Sequence, residues 1–169
     1  KVGPARAPMP APESLPKVDS PEPLPLPLAA LGLISRIPWH SEFARWHSPG
    51  EDTAWRQVEN FFAAPVFDYA QNRDFPALAA TSGLSAHLHC GEISGPQIWH
   101  YAHSWSHRRT ETQAISAAET FLRQLAWREF AAHLLFHFPH TDEFPLDPHY
   151  RHFPWRKDYQ AFLDTWKKG

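Results

Sequence analysis

The sequence predicts an all-α fold, preceded by a proline-rich linker. Three observations carry this. Apolar residues past residue 30 recur at threes and fours, no alternating β pattern persists anywhere, and prolines and capping residues punctuate the chain at helix-length intervals. Nine of the 18 prolines fall within residues 1–28, in PMPAP, SPEP and LPLPLP. Proline lacks an amide hydrogen and fixes φ, so this stretch favours extended, polyproline-like chain over ladder or core. Residues 1–30 therefore read as linker and residues 31–169 as the folded part, with a proline-rich ligand for an aromatic groove as the alternative use of the first segment.

The elements follow in order. SPGED (48–52) supplies a turn and then acidic residues suited to a helix N-terminus, which predicts a first helix over about 53–62. Pro65 suits a first helical position and opens a short helix through VFDYAQNR. Ser94 caps GPQIWHYAHSW. The longest periodic run spans about 113–137, with Ala118, Leu122, Leu125, Ala126, Phe130, Leu134 and His137 on one stripe, and Pro139 stops it. Asp158 is placed to cap a last helix, YQAFLDTWKK, with Gly169 at its end.

Composition narrows the function only in part. Aromatic residues make up 14 % of the 169 residues, with 8 Trp and 12 Phe, so core material and π surfaces are both plentiful. The net charge of −2 leaves nucleic acid open as a partner, and the 12 histidines turn the chain positive a little below neutral pH. The single cysteine, Cys90, rules out an intrachain disulfide framework, reads as a small buried residue and favours a reducing, cytoplasmic compartment. No apolar run is long enough to span a bilayer, and AALGLI (29–34) lacks the flanks of a signal peptide.

TSGLS (81–85) places hydroxyls Thr81, Ser82 and Ser85 around Gly83 where a helix is expected to begin. Hydroxyls and free backbone amides at such a point suit an anion, and an ordinary N-cap is the alternative. On a helix, Gln124, Trp127, Arg128 and Ala131 share a side through spacings of three and four. That side has a π face, a planar cation and an amide, or else a core ring and a cation paired with a neighbouring acid. His133 and His137 are four apart and His87 and His89 two apart, but spacing supplies no third ligand, so no metal site is expected. Nothing around Cys90 sets up a nucleophile.

These pieces occur jointly and in order: Tyr69, Arg73-Asp74-Phe75-Pro76, Thr81-Ser82-Gly83-Leu84-Ser85, Gly91-Glu92-Ile93-Ser94, Trp127-Arg128-Glu129-Phe130 and His137-Phe138-Pro139. Together they resemble the FAD-binding helical domain of the DNA photolyase/cryptochrome family, over about 31–169. The resemblance implies a cofactor, FAD, held by Tyr69, Thr81, Ser82, Gly83, Leu84 and Ser85 and bordered by Phe121. It also implies a partner, damaged DNA with pyrimidine dimers, met by Arg73, Gln124, Trp127 and Arg128. Trp155 matches the outermost tryptophan of the family's electron relay, with a half-buried surface anchor as the alternative, and Trp166 looks like a packing residue that precedes a glycine-led segment of the family.

Gln124 departs from the glutamate common in relatives that repair cyclobutane dimers, and glutamine there also occurs in (6-4)-type relatives. An intact relative carries an antenna chromophore on a preceding α/β domain and completes the helical domain with further residues. The chain is thus expected to be part of a monomeric deoxyribodipyrimidine photolyase. A cryptochrome-like photoreceptor or an inactive truncated remnant is the alternative.

Overall fold

A computed structural model of the chain describes residues 5–14, 16–17, 27–34, 37–109, 111–154 and 159–168. Helices of α or 3₁₀ type account for its regular structure, and no strand occurs among the described residues. Asp158 and Gly169, expected at the two ends of the last helix, and Trp155 lie outside the described residues.

Helix α1 spans Glu51–Ala63, entered through Gly50 at φ 118°. Glu51 and Asp52 form its first turn, where carboxylates complement the exposed amides, so the helix starts two residues before the expected point. Ala54, Val58, Phe61 and Phe62 lie one or two turns apart and are buried on one side. Helix α2, Pro65–Asn72, begins with proline at its first position and buries Val66 and Tyr69. A turn-rich segment leads to the single-turn helix α3, Ser85–His89. Gly91, at φ 73°, then reverses the chain toward Ser94.

Helix α4, Gly95–His107, carries a complete capping box. The Gln97 amide donates to Ser94 Oγ, and the Ser94 amide donates to Gln97 Oε1 at 2.8 Å. Ile98, Ala102 and Trp105 repeat at fours and threes on its buried face. The linker segment keeps its side chains largely exposed, yet the backbone oxygens of Ala5 and Arg6 lie 3.1 and 2.9 Å from His100 Nε2 on α4.

Helix α5 runs over Thr112–His137, as the periodicity predicts, but its apolar stripe divides in two. Ala114, Ala117, Ala118, Phe121, Leu122 and Leu125 are buried, whereas Phe130 and Leu135 are exposed. The boundary between two compact units falls at the same place, between Ala126 and Trp127. In the first unit the core is a contiguous cluster in which Phe61, Phe62, Tyr69, Trp105 and Phe121 supply most of the ring area. Phe61 and Phe121 lie 4.8 Å apart, and Phe62 meets Trp105 at 5.2 Å and Phe121 at 5.6 Å, in tilted and edge-on contacts that suit ring quadrupoles.

The second unit contains the end of α5, 3₁₀ turns over Pro139–Asp142 and Pro148–His152, and helix α6, Gln160–Lys168. Asp147 accepts from the His149 amide, and the Arg151 guanidinium sits 5.3 Å from the centre of the Phe144 ring. None of its elements buries a residue fully, and Phe136, Phe162 and Trp166 are exposed. Trp166 therefore does not pack as its sequence context suggested. Cys90 is exposed as well, contrary to expectation. It caps the C-terminus of a one-turn helix whose buried side is taken by His87 and the preceding Leu84, leaving no inward position.

Candidate functional site

The loop 81–85 is anchored at two points. Leu84 is almost fully buried and belongs to the core cluster. The Gln57 side-chain amide, on α1, donates to the Ser82 carbonyl at 2.9 Å. Gly83 between them has φ +65°, and a Cβ there would stand 2.8 Å from Gln57 Nε2. A left-handed backbone and a close amide both select glycine at this position.

This leaves three hydroxyls without an intramolecular task. Helix α3 has Leu84 at its N-cap in an αR conformation, with no side-chain capping bond. The hydroxyls of Thr81, Ser82 and Ser85 make no hydrogen bond among the described residues. They are not the ordinary helix caps that the sequence left open. Thr81 and Ser85 are exposed and Ser82 is partly so, so all three can donate to an external acceptor.

Tyr69 is 8 % exposed, its ring edge-on to Phe61 at 5.5 Å and to Phe121 at 5.7 Å. Its hydroxyl has no partner, and every fully buried side-chain N or O atom among the described residues has one, so the phenol oxygen reaches solvent while the ring anchors the core. Arg73, the C-cap of α2, places its guanidinium 5.9 Å from the Tyr69 ring centre and its Nε 3.6 Å from Asp74. The fold thus brings Arg73, Tyr69 and Phe121 into one contiguous set. Helix α1 serves both parts of the site: Gln57 holds the loop, and Phe61, one turn on, packs on Tyr69 and Phe121. Phe121 is enclosed by Phe61, Phe62 and Tyr69 and lies against the core.

Gln124 lies on α5 within the first unit, half-buried. In the second unit Trp127 is 63 % exposed, with its ring edge-on to Phe130 at 5.7 Å, so it is not a core ring. Arg128 is exposed and donates to Glu129, its neighbour in the chain.

Sequence spacing missed a second cluster. His87, 4 % exposed, has its Nδ1 2.5 Å from Glu92 Oε2. A carboxylate only accepts, so Nδ1 carries the hydrogen. His47 Nε2 lies 4.0 Å from the same oxygen, and the two imidazole rings are 4.5 Å apart. The hydrogen bond from His87, helped by a backbone bond from Gly50, holds the Glu92 carboxyl below the usual carboxylate range against the opposing effect of desolvation. The spacings that hid this cluster are 40 residues between the histidines and five between His87 and Glu92. Only the fold brings them together.

The model of the FAD binding domain of DNA photolyase matches residues 121–169. A deoxyribodipyrimidine photo-lyase from Agrobacterium fabrum is 37 % identical over 137 residues, covering 81 % of this chain and 28 % of that protein. Cryptochrome-1 of Arabidopsis thaliana is 32 % identical over 130 residues, covering 75 % of this chain and 19 % of the relative. Among solved structures, a bacterial class III photolyase from Agrobacterium tumefaciens superposes with a TM-score of 0.67 at 36 % identity, covering 90 % of this chain and 30 % of that one. The chain spans about a third or less of the length of these relatives.

Proposed function

The chain belongs to the DNA photolyase/cryptochrome family, whose helical domain binds FAD, and from that premise we propose that it forms part of a protein that repairs pyrimidine dimers in DNA by light-driven electron transfer. The observation that carries this reading is the TSGLS loop: three unengaged hydroxyls around a left-handed glycine, held by Gln57. Such donors suit the pyrophosphate and ribityl oxygens of a dinucleotide, because a hydroxyl that gives up only water for an anionic oxygen gains a charge-assisted bond. The residues fit the phosphate arm of FAD on that ground, and the outward phenol oxygen of Tyr69 adds a fourth donor.

When bound, the flavin supplies the light-driven electron for dimer cleavage; the chain's own residues hold and orient. Thr81, Ser82 and Ser85 bind phosphate and ribityl oxygens, Gly83 lets the backbone approach, and Leu84 fixes the loop in the core. Phe121 backs the flavin wall through its stack with Phe61 and Tyr69. Arg73 and Arg128 meet DNA phosphates. Both guanidiniums now face an adjacent carboxylate, Asp74 and Glu129 respectively, in pairs with exposed members. Such pairs contribute only about 0–1 kcal/mol, so exchanging Asp74 for phosphate costs Arg73 little. Trp127 offers an exposed face on which an extruded base stacks, and Gln124 reads a base edge with one donor and one acceptor. Trp155, by its match to the family's relay, passes electrons toward the flavin.

The similarity to Cryptochrome-1 favours a second reading, a blue-light photoreceptor with the same flavin pocket. Illuminating dimer-containing DNA with the flavin-loaded protein that carries this segment separates the two. Light-dependent loss of dimers supports repair. Full flavin loading with no loss under light rejects repair in favour of the photoreceptor.

A further inference from the structure

We propose that His47 Nε2, His87 Nδ1 and Glu92 Oε2 form a binding site for a divalent transition metal of the zinc class, with its fourth position open to solvent. The three ligand atoms lie within 4.8 Å of one another and come from three separate parts of the chain: the segment before α1, helix α3 and the loop after it. Two imidazoles and one carboxylate are a borderline-soft nitrogen and oxygen set, the ligand chemistry that zinc takes when one position is left for water.

The geometry needs a modest contraction, largest between the two imidazole nitrogens, which lie within 4.8 Å of each other. Ligand atoms about 2 Å from a tetrahedral metal stand about 3.3 Å apart. The His47 to Glu92 separation of 4.0 Å must therefore close slightly, and the His87 to Glu92 separation of 2.5 Å must open by under an ångström as the metal takes the place of the shared hydrogen. The surroundings are graded for entry. The His87 side chain is 5 % exposed, Glu92 17 % and His47 28 %, so a metal reaches the site from the His47 side and is partly desolvated within it.

The charge balance points the same way. Among the described residues Glu92 has no lysine or arginine partner, and its only side-chain partners are the two imidazoles. A backbone bond from Gly50 orients the carboxylate, the kind of supporting contact that metal ligands use. The other close histidine pairs, His103 with His107 and His133 with His137, each sit one turn apart on an exposed helical face with no carboxylate in their ligand set.

The test is a cobalt titration of the chelator-treated chain, read by the visible absorption of four-coordinate Co²⁺ and followed by competition with Zn²⁺. The wild type is expected to bind one equivalent with four-coordinate absorption and to release cobalt to zinc. His47→Ala and Glu92→Gln should each weaken binding by about tenfold or more, on the scale of altering a metal's ligand environment. A His103→Ala/His107→Ala/His133→Ala/His137→Ala variant should bind as the wild type does. His87 is buried, so His87→Ala is informative only if circular dichroism shows that it folds; the partly exposed His47 decides the matter without it. Wild-type affinity in His47→Ala, or loss of binding in the fourfold control, overturns the proposal.

Discussion

Gln57 donates its side-chain amide to the carbonyl of Ser82 at 2.9 Å, across 25 residues of sequence. The same nitrogen occupies the space that a Cβ on Gly83 would take. One amide thus fixes the loop position and requires the neighbouring glycine, and the hydroxyls on either side are left facing outward.

Gly83→Ala is expected to cost about 1–2 kcal/mol, the penalty of a left-handed backbone for an L side chain. The new methyl displaces the flexible Gln57 amide, so the Ser82 bond is lost as well. Gln57→Ala alone should cost about 1 kcal/mol. The two effects therefore overlap, and a double-mutant cycle by urea unfolding should show a sub-additive total. Strict additivity would mean that Gln57 does not hold the loop at Gly83.

Phe62→Ala should destabilise the protein by about 3–5 kcal/mol, because its ring is fully buried and touches Tyr101, Trp105 and Phe121. Trp166→Ala, on an exposed face of α6, should change unfolding by less than about 0.5 kcal/mol. Chemical denaturation of the two variants makes the comparison directly.

Removing the capping box with Ser94→Ala should cost about 1 kcal/mol, since the Gln97 amide loses its acceptor and the reciprocal bond loses its geometry. Ser94→Asp should recover most of it, because a carboxylate also accepts at an N-cap. Thermal unfolding followed at the helix band reads both.

Burial, and then the nearby Glu59 carboxylate, push the Tyr101 phenol above the ordinary tyrosine value, partly offset by Arg108 and Arg109. The sign follows from which form is disfavoured. The folded state resists ionisation, so the stability tied to neutral Tyr101 is fully present below the unfolded value of 10.0 and is lost as pH rises through the higher folded value. Urea midpoints should fall through this alkaline range, and Tyr101→Phe should flatten the fall. An unchanged alkaline limb in Tyr101→Phe would exclude Tyr101 as its source.

Much of the helical order was legible in the sequence because local signals and tertiary burial agreed. Pro65, Ser94 and Pro139 mark boundaries through backbone chemistry that does not depend on the rest of the fold. The stripe on α5 was less informative. Phe130 and Leu134 continue the period of Leu122 and Leu125, but period alone does not say whether a face meets a partner, and burial stops at Leu125. Cys90 misled for the same reason, since residue type predicts burial only where the element offers an inward position.

The TSGLS motif was visible in the sequence, but its support was not. Gln57 lies in AWRQVENFF without any local mark, and its bond to Ser82 exists only once α1 meets the loop. His47 and Glu92 were hidden likewise by separation along the chain.

The most direct test of the account is the flavin content of the protein carrying this segment, wild type against Thr81→Val/Ser82→Ala/Ser85→Ala, measured by visible absorbance alongside circular dichroism. These hydroxyls make no internal bonds, so the triple variant should fold and unfold like the wild type. Its FAD affinity should nevertheless fall by about tenfold or more for each donor removed, the scale of a hydrogen bond to a charged group. A folded triple variant that retains FAD at wild-type affinity would contradict the assignment of this loop as the phosphate cradle.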